Sequence, residues 1–453
     1  MLSVFIAVLT LLQLPAPAPV EPVTAPPPPV LPVPAPPPSG LSRFLQLYGD
    51  APIVGQRIYN DGAPQTSERL QLERLGLRGS LAARNGFGLG ATLEVGLVPT
   101  DAGRVAHLTG AADSRFLGLR QAVVELDTPI ADLSGGYTWA LFGSGGTDGP
   151  ATLSRWGLPG QLWARQTQLR LGRHFHGRSV DLEIAAAVLR TQGEGDDLNL
   201  QGRLRLVSNR WRGIRTIGAA TTNEEGLSVS LSGLHRRYRV TAHLADGTTV
   251  PTRDTVGGVS LDLMVPLIRA TMNDRKNALT LTGSFIVGTG IGDQFGPLAH
   301  EVFPRSRPIQ ISPVEPNPAA AAAAKLPPPT SVAATGSILW DAQIYFDSAT
   351  QQFKTVNSSA WIVGLQYRLP PSGALWASVN ASRIFTGNIS GTANPDGLIS
   401  SIAAADANFF FDLNPYVRFG AEVERLSQDY LSEATVIEWR FLLAAVLMGD
   451  WTF

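Results

Sequence analysis

The sequence predicts an all-β protein, and within that class a transmembrane antiparallel β-barrel of about 16 strands, within a range of about 14–18. Two observations carry this prediction. Segments of about ten residues, apolar at alternate positions and separated by turn residues, recur from residue 68 to the end of the chain. No stretch approaches the roughly 20 apolar residues that a membrane-spanning helix needs, and no useful helical periodicity is present.

A typical segment spans residues 87–97. Phe87, Leu89 and the alternate positions after them form an apolar face, and the preceding Asn85-Gly86 pair favours a hairpin turn because both residues tolerate a left-handed backbone. The opposite, more polar face would meet water outside a soluble sandwich or line the lumen of a barrel, so alternation alone does not distinguish these two folds.

The other segments are 75–81, 115–126, 131–142, 162–171, 180–190, 198–207, 211–220, 226–234, 236–244, 256–265, 279–287, 336–346, 360–369, 374–385, 402–411, 415–425 and 437–453. About 17 to 19 strands are counted in this way. The even number expected of a single-chain bacterial barrel favours 16, a size that leaves an aqueous channel.

The last segment, residues 437–453, is apolar and aromatic on its odd-numbered face and ends on Phe453. An open apolar edge invites aggregation, whereas in a barrel the last strand pairs with the first and the edge disappears. The ending, with Trp451 two places before Phe453, resembles the C-terminal assembly signal of bacterial outer-membrane barrels. The alternative is a core strand of a soluble β domain. The even-numbered face, Leu442, Ala444, Val446 and Met448, is also apolar, which a simple two-faced strand does not explain.

The first 40 residues predict an export signal and a linker. Residues 1–18 contain an apolar stretch of signal-peptide length, atypical because the first basic residue is Arg43. Residues 19–40 are dense in proline, alanine and valine, which predicts an extended polyproline conformation and a periplasmic linker, with contact to the cell wall as a sharper alternative. Residues 41–453 then form the barrel, which a long Pro/Ala-rich loop interrupts at 303–335.

Composition excludes several classes of function. Cysteine is absent, which excludes disulfides and cysteine-ligated metal sites, and the net charge of −1 gives no electrostatic basis for binding nucleic acid. His174 and His176 have strand spacing that would place both rings on one face, but no third ligand is identifiable, so exposed histidines are the simpler reading. No catalytic constellation and no phosphate-binding loop is present. The sequence therefore predicts no catalytic residue, no cofactor and no metal.

A resemblance to a known family rests on motifs near both ends of the barrel. These are Leu119-Arg-Gln-Ala-Val-Val-Glu-Leu126, Gly136-Tyr-Thr-Trp139, Arg165-Gln-Thr-Gln-Leu-Arg170, Arg74-Leu-Gly-Leu77 and Phe419-Gly-Ala-Glu-Val423. In their order along the chain, these motifs resemble those of DcaP-like outer-membrane porins. Val124 and Tyr137 stand where that family's pattern has tyrosine and glutamine, and the Pro-rich tract replaces its N-terminal coiled coil. The resemblance implies a 16-stranded homotrimeric porin that passes small anions, dicarboxylates among them.

Several polar faces carry arginine. An arginine facing lipid at mid-bilayer costs about 2–4 kcal/mol, so these side chains are expected to point into the lumen. Guanidinium groups bind carboxylate and phosphate through paired hydrogen bonds, and a ladder of them in a wet pore would favour anions. The alternative is that they are solvated lumen residues paired with inner carboxylates. The candidate pore-lining residues are Arg74, Arg120, Gln168, Arg170, Arg203, Arg205, Arg237 and Arg239.

The sequence therefore predicts a bacterial outer-membrane protein whose partners are outer-membrane lipid, small anionic solutes and two further copies of itself. The favoured function is a passive porin for small hydrophilic solutes with a mild preference for anions. The alternative is a structural barrel with a closed lumen, whose Pro-rich segment tethers the envelope layers. A barrel enzyme ranks last. The solute, the constriction and the side of the membrane on which residues 303–335 lie are not predictable from the sequence.

Overall fold

The computed structural model describes residues 42–59, 65–70, 74–82, 86–99, 115–143, 149–153, 158–189, 199–243, 249–295, 344–347, 352–389, 399–431 and 435–452. The predicted signal (1–18), the Pro-rich linker (19–40) and the loop at 303–335 lie outside these residues. No helix in the described ranges is long and apolar enough to cross a membrane.

The described chain is almost entirely antiparallel strand. The strands are β1 (Ser42–Tyr59), β2 (Gln65–Leu70), β3 (Arg74–Ala82), β4 (Gly88–Pro99), β5 (Arg115–Asp127), β6 (Asp132–Trp139), β7 (Arg165–His176), β8 (Val180–Leu189), β9 (Asn199–Ile217), β10 (Thr221–His243), β11 (Thr249–Ile268), β12 (Leu279–Thr289), β13 (Ile344–Asp347), β14 (Gln352–Thr355), β15 (Asn357–Arg368), β16 (Leu375–Thr386), β17 (Ile399–Asn414), β18 (Val417–Tyr430) and β19 (Val436–Thr452). β13 and β14 pair only with each other, and the remaining strands form one sheet.

That sheet closes into a barrel. β1 pairs along its length with β19, from Gln46 opposite Thr452 to Tyr59 opposite Trp439. Its other edge pairs first with β3 and then with β2, which therefore form one interrupted strand of the wall. Counted this way, the described wall has 16 strands, as the sequence predicts. The predicted role of the last segment as the closing strand is confirmed.

The wall has an apolar outside and a largely polar inside. On β10, Val229 and Leu231 are exposed, whereas the alternating Ser228, Ser230 and Ser232 are buried within the barrel. The same alternation is present on β15 and β16, and exposed leucine, valine and phenylalanine recur along the described part of the wall. Such a surface is stable in hydrocarbon and not in water. A closed barrel of this kind belongs in the bacterial outer membrane.

The two ends of the barrel differ. The first residue of β1, the last of β19 and the short turns at 128–131, 177–179, 218–220 and 415–416 share one end, which we call the turn end. The longer connections, including 100–114 and 140–164, leave from the opposite, loop end. In outer-membrane barrels short turns face the periplasm and long loops face outward. The connection from β12 to β15, which contains residues 303–335, leaves from the loop end.

Two segments leave the wall and enter the lumen. The first, which we call the inner loop, lies between β6 and β7 and is described at residues 140–143, 149–153 and 158–164; all of these are buried except Trp163 and Ala164, which are half-buried. The second, the inner hairpin (residues 209–226), is the turn-end extension of β9 and β10 beyond their neighbouring strands. The prediction that 211–220 is a separate wall strand is therefore wrong: it continues β9, because its alternation serves packing inside the barrel.

The inner segments explain the second apolar face of the closing strand. Leu442, Ala444 and Val446 point into the lumen and are buried in a cluster with Trp376 and Phe410, together with residues of the inner loop. The outer face of β19 meets lipid and its inner face meets protein. Both faces of this strand are therefore apolar, and the predicted phase of the strand is correct.

Candidate functional site: the barrel lumen

The inner loop is fastened to one half of the wall. At its start, the main-chain N–H of Phe142 donates to Gln201 Oε1 at 2.9 Å, and that of Gly143 donates to Ser232 Oγ at 2.7 Å. Near its end, the N–H of Trp163 donates to the carbonyl of Gln294 at 2.8 Å. Leu158 and Leu162 pack between these points in a buried cluster against β12, β15, β16 and β17. The loop therefore coats the wall on the β10–β18 side.

The middle of the inner loop rests on amides and a carboxylate of β16–β18. The carbonyl of Ala151 accepts hydrogen bonds from Ser378 Oγ at 2.6 Å and from Asn380 Nδ2 at 2.7 Å. Glu422 accepts from Thr152 Oγ1 at 2.8 Å and also from the N–H of the following residue. Buried polar groups of the loop are thus satisfied by the wall, which keeps the loop in one place.

Four acidic side chains lie on this covered part of the wall. Asp406, Glu422, Glu424 and Glu438 are each between 0 and 4% exposed. Arg440 is their neighbour and pairs with Glu438 and, at 3.5 Å, with Glu424. Because these carboxylates are enclosed by protein, a solute in the lumen does not meet them directly.

The wall from β3 to β9, which the inner loop covers only at the loop end of β8 and β9, carries the predicted arginines. Three of them pair with carboxylates on neighbouring strands: Arg74 with Asp50, Arg120 with Glu94 and Arg203 with Glu183. The guanidinium of Arg205 lies 4.0 Å from Glu225 of the inner hairpin. These four arginine side chains are 15–31% exposed. All four are therefore on the lumen side and reach solvent.

Arg170 differs from the other candidates, because among the described residues no carboxylate lies within ion-pair distance of it. Its Nη2 donates to the carbonyl of Trp139 at 2.7 Å and to Gln168 Oε1 at 3.3 Å, and Gln168 Nε2 in turn donates to the same carbonyl at 2.7 Å. Arg165 stacks over the Trp139 ring, 4.2 Å from its centroid. Two guanidinium groups whose hydrogen-bonding or stacking partners are neutral are thus gathered beside Trp139, at the start of the inner loop.

The sequence placed one candidate on the wrong face. Arg237 is exposed in phase with the outward Leu231, whereas Arg236 is buried and donates to the carbonyl of Gly290 at 2.6 Å. The phase of β10 was mistaken there because residues 236 to 239 hold three arginines and the apolar pattern that fixes phase is interrupted. The side chain of Arg239 lies outside the described part of the chain.

Sequence reasoning missed an arginine cluster at the turn end. Arg275, Arg368 and Arg418 converge on Asp412, with distances of 3.3, 3.3 and 2.6 Å. The indole of Trp376 donates to the same carboxylate at 3.2 Å. The sequence does contain a sign of the inward direction of two of these arginines, since Arg368 and Arg418 each stand next to an aromatic residue that belongs to the outward face of its strand. The sequence does not predict that these three arginines meet, because they lie on segments that are far apart in the chain.

Comparisons with known proteins agree with this fold. No protein-family model and no curated protein matches the sequence. The outer membrane channel DcaP of Acinetobacter baumannii is 15% identical and superposes with a TM-score of 0.61 over 91% of this chain and 98% of that chain. The resemblance to DcaP-like porins is thereby confirmed at the level of the fold.

More distant structures include an anion-selective porin from Comamonas acidovorans, 11% identical, with a TM-score of 0.48 over 90% of this chain and 100% of that chain. The trimer form of OmpT, an outer membrane protein of Vibrio cholerae, is 11% identical, with a TM-score of 0.47 over 91% of this chain and 100% of that chain.

Proposed function

We propose that the protein is an outer-membrane porin, a passive diffusion channel for small hydrophilic solutes with a mild preference for anions such as dicarboxylates. The observation that supports this most is the distribution of charge in the lumen. Arg74 and Arg120 are 31% and 16% exposed, whereas their partners Asp50 and Glu94 are 4% and 3% exposed. Asp406, Glu422, Glu424 and Glu438 of β17–β19 are likewise buried. A passing solute therefore meets guanidinium groups.

The neutral surroundings of Arg165 and Arg170 add to this preference. A guanidinium paired with a carboxylate contributes little net field, whereas these two are bonded or stacked only to uncharged groups in the described structure. Inside a barrel with low-dielectric walls such charges act over longer distances than in bulk water. A solute with two carboxylates could bind guanidinium forks on β7 and on β9.

The proposal also covers the export, localisation and oligomeric state of the protein. We assign residues 1–18 to an export signal and 19–40 to a periplasmic linker, with contact to the cell wall as the alternative role of this segment. We assign the barrel to a homotrimer, as the family resemblance implies. The channel needs no cofactor and catalyses no reaction in this proposal. Its partners are membrane lipid and small anions.

The decisive experiment is single-channel recording of the full-length mature protein in planar bilayers. We expect discrete openings, and in a salt gradient a reversal potential of the sign that anion flow gives. Liposome swelling should be faster with a dicarboxylate such as succinate than with a neutral solute of similar size. A reversal potential of cationic sign would overturn the anion preference while leaving the channel in place.

One observation favours the alternative of a structural barrel with a periplasmic tether and no open pore. The inner loop and the inner hairpin both occupy the lumen, and their main chains bond to each other where the N–H of Gly218 donates to the carbonyl of Pro150 at 3.1 Å. Recordings that show no openings, from protein that migrates as a folded barrel on an unheated gel, would establish this alternative over the porin.

A further inference from the structure

The inner hairpin separates from the wall at a defined point. β8 pairs with β9 only as far as Ser208, and β11 pairs with β10 only from Ser228 onward. Between these limits β9 and β10 pair with each other, from Arg212 opposite Gly226 to Ile217 opposite Thr221, and a bulge follows Gly226. At the base, the carbonyl of Arg212 still accepts from the N–H of Ala270 at 3.2 Å. β-bulges bend a strand pair, and here the bend turns the hairpin out of the wall and into the lumen.

The hairpin is fastened first to the strands that follow β11. Thr280 Oγ1 donates to the carbonyl of Ile214 at 2.8 Å. On β15, Gln366 satisfies both main-chain groups of Thr216, accepting from its N–H at 2.8 Å and donating to its carbonyl at 2.7 Å. Arg368 donates to the hydroxyl of the same threonine at 2.8 Å. The side-chain amide of Gln366 thus makes the two main-chain hydrogen bonds that a neighbouring strand would make in a sheet.

The tip of the hairpin reaches the far wall. Arg418 on β18 donates to the carbonyl of Ala219 at 2.7 Å and to the hydroxyl of Thr222 at 3.0 Å. Arg74 on β3 donates to the hydroxyl of Thr221. In the order of the sheet, β18 and β3 lie almost opposite β9 and β10. The hairpin therefore crosses the width of the barrel at its turn end.

Apolar packing holds the tip as well. Ala219 and Ala220 lie against the buried cluster that contains Leu153 of the inner loop and Trp376 of β16. Arg418 stands 5.0 Å from the centroid of the Trp376 ring. The hairpin is thus a seated part of the fold, held by at least four strands and by the inner loop.

We propose that the inner hairpin is a second constriction of the pore, separate from the inner loop, and that it sets the upper size of the solutes that pass. This inference rests on the proposed channel function. Its fastenings lie on β3, β12, β15 and β18, which leaves the passage on the side of β4–β8. Arg205 and Glu225, 24% and 20% exposed, stand at the hairpin's base there, and the buried Arg215 lies 2.7 Å from Glu225.

The test is a shortened hairpin. Residues 213–225 are replaced by Asn-Gly, a two-residue turn that suits the paired positions Arg212 and Gly226 and so keeps the register of the wall. We expect the single-channel conductance to rise by about two-fold or more, because conductance follows the width of the narrowest section. In liposome swelling, neutral sugars too large for the native protein should now enter. Arg178→Ala, in the exposed turn between β7 and β8, is the matched turn-end control and should behave as the native protein.

A second variant covers the case in which the shortened protein does not fold. The chain has no cysteine, so Asn223→Cys introduces a single thiol on the exposed hairpin edge, in phase with Glu225. A bulky thiol-specific reagent added to open channels should lower their current by about half or more if the hairpin borders the path. The same reagent on Lys276→Cys, in the exposed turn between β11 and β12, should not.

The outcomes separate the two proposals. Native channels that conduct, with conductance and size limit unchanged in the shortened variant, or with a current unaffected by labelling at residue 223, would overturn the constriction and leave the porin intact. If neither the native protein nor the shortened variant conducts, the porin proposal itself fails. If only the shortened variant conducts, the hairpin closes the pore completely, which supports its position in the path.

Discussion

Glu422 of β18 and Thr152 of the inner loop, 270 residues apart in the sequence, are joined by a hydrogen bond of 2.8 Å in the interior of the barrel. The carboxylate also accepts from the main-chain N–H of Leu153. Glu422 is 4% exposed, so neither donor has water as a ready substitute. This contact fixes the position of a loop that coats half of the lumen, and it makes the loop's position testable by one substitution.

We predict that Glu422→Ala releases the middle of the inner loop. Removing the acceptor takes away one hydrogen bond of Thr152 and leaves the N–H of Leu153 with its longer bond to Asn408 Oδ1, at 3.3 Å. Each buried hydrogen bond lost costs about 0.5–1.5 kcal/mol. The expected result is a channel with noisier openings and a wider spread of conductance in planar bilayers.

Glu422→Gln is the matched control for the loss of charge, because its amide oxygen can still accept one of the two hydrogen bonds. Its openings should be steadier than those of the alanine variant. Equal noise in both variants would mean that charge, and not hydrogen bonding, holds the loop.

Gly420 provides a second, steric test of the same loop. A Cβ at this position would lie 2.9 Å from Leu153 Cδ2 and 3.1 Å from Phe410 Cδ1, so the leucine occupies space that only glycine leaves. We predict that Gly420→Val displaces the loop and destabilises the fold by about 1–3 kcal/mol, as overpacking does elsewhere. Urea unfolding followed by tryptophan fluorescence measures the loss.

The double variant Gly420→Val with Leu153→Ala should recover part of that stability, because the truncated side chain vacates the site. Gly202→Ala is the control within another strand, where the nearest atom would be 3.8 Å away. A double variant that is less stable than the sum of the two single variants would contradict the proposed packing.

We predict that Arg170→Gln lowers anion preference. The guanidinium has no carboxylate partner among the described residues, so its removal takes away a positive charge without exposing a negative one. In a salt gradient the reversal potential should shift toward the cation value, while the conductance changes little.

Arg237→Gln is the matched control for this selectivity change, since the structure places Arg237 on the outer face. It removes the same charge and should leave the reversal potential unchanged. A shift as large as that of Arg170→Gln would mean that overall charge, and not lumen position, sets selectivity.

The sequence predicted the wall of this barrel but not its contents. Alternation reports which face of a strand is apolar, and that is enough to predict β16 as a strand and β19 as the closing strand, whereas β10, predicted as two segments at 226–234 and 236–244, is one continuous strand. It does not report what a face packs against. The sequence therefore does not explain why Leu442 and Val446 are apolar, because their partners belong to the inner loop. It also predicts residues 211–220 as wall, because a hairpin inside the lumen alternates as a wall strand does.

In the candidate site, too, the sequence predicts which way a side chain faces but not which residues it contacts. Arg74, Arg120, Arg203 and Arg205 were found because lipid excludes a guanidinium from the outer face. Their partners Asp50, Glu94 and Glu183 lie on neighbouring strands, and the register that joins them depends on turns the sequence does not specify in detail. The cluster around Asp412 joins strands β15, β17 and β18 with a turn, so no local pattern announces it.

The closing strand gives a final prediction about the outer face. Leu443, near the middle of β19, is 68% exposed, which in a membrane means contact with lipid tails, whereas the adjacent Leu442 is buried inside the barrel. We predict that Leu443→Arg destabilises the folded barrel in lipid vesicles by about 2–4 kcal/mol, the cost of a guanidinium at mid-bilayer. Leu443→Ala, which keeps the site apolar, should lose less. Urea unfolding in vesicles, followed by the change in gel migration on heating, measures both. If the arginine variant is as stable as the alanine variant, residue 443 does not face hydrocarbon, and the outward phase of the last strand would have to be reassigned.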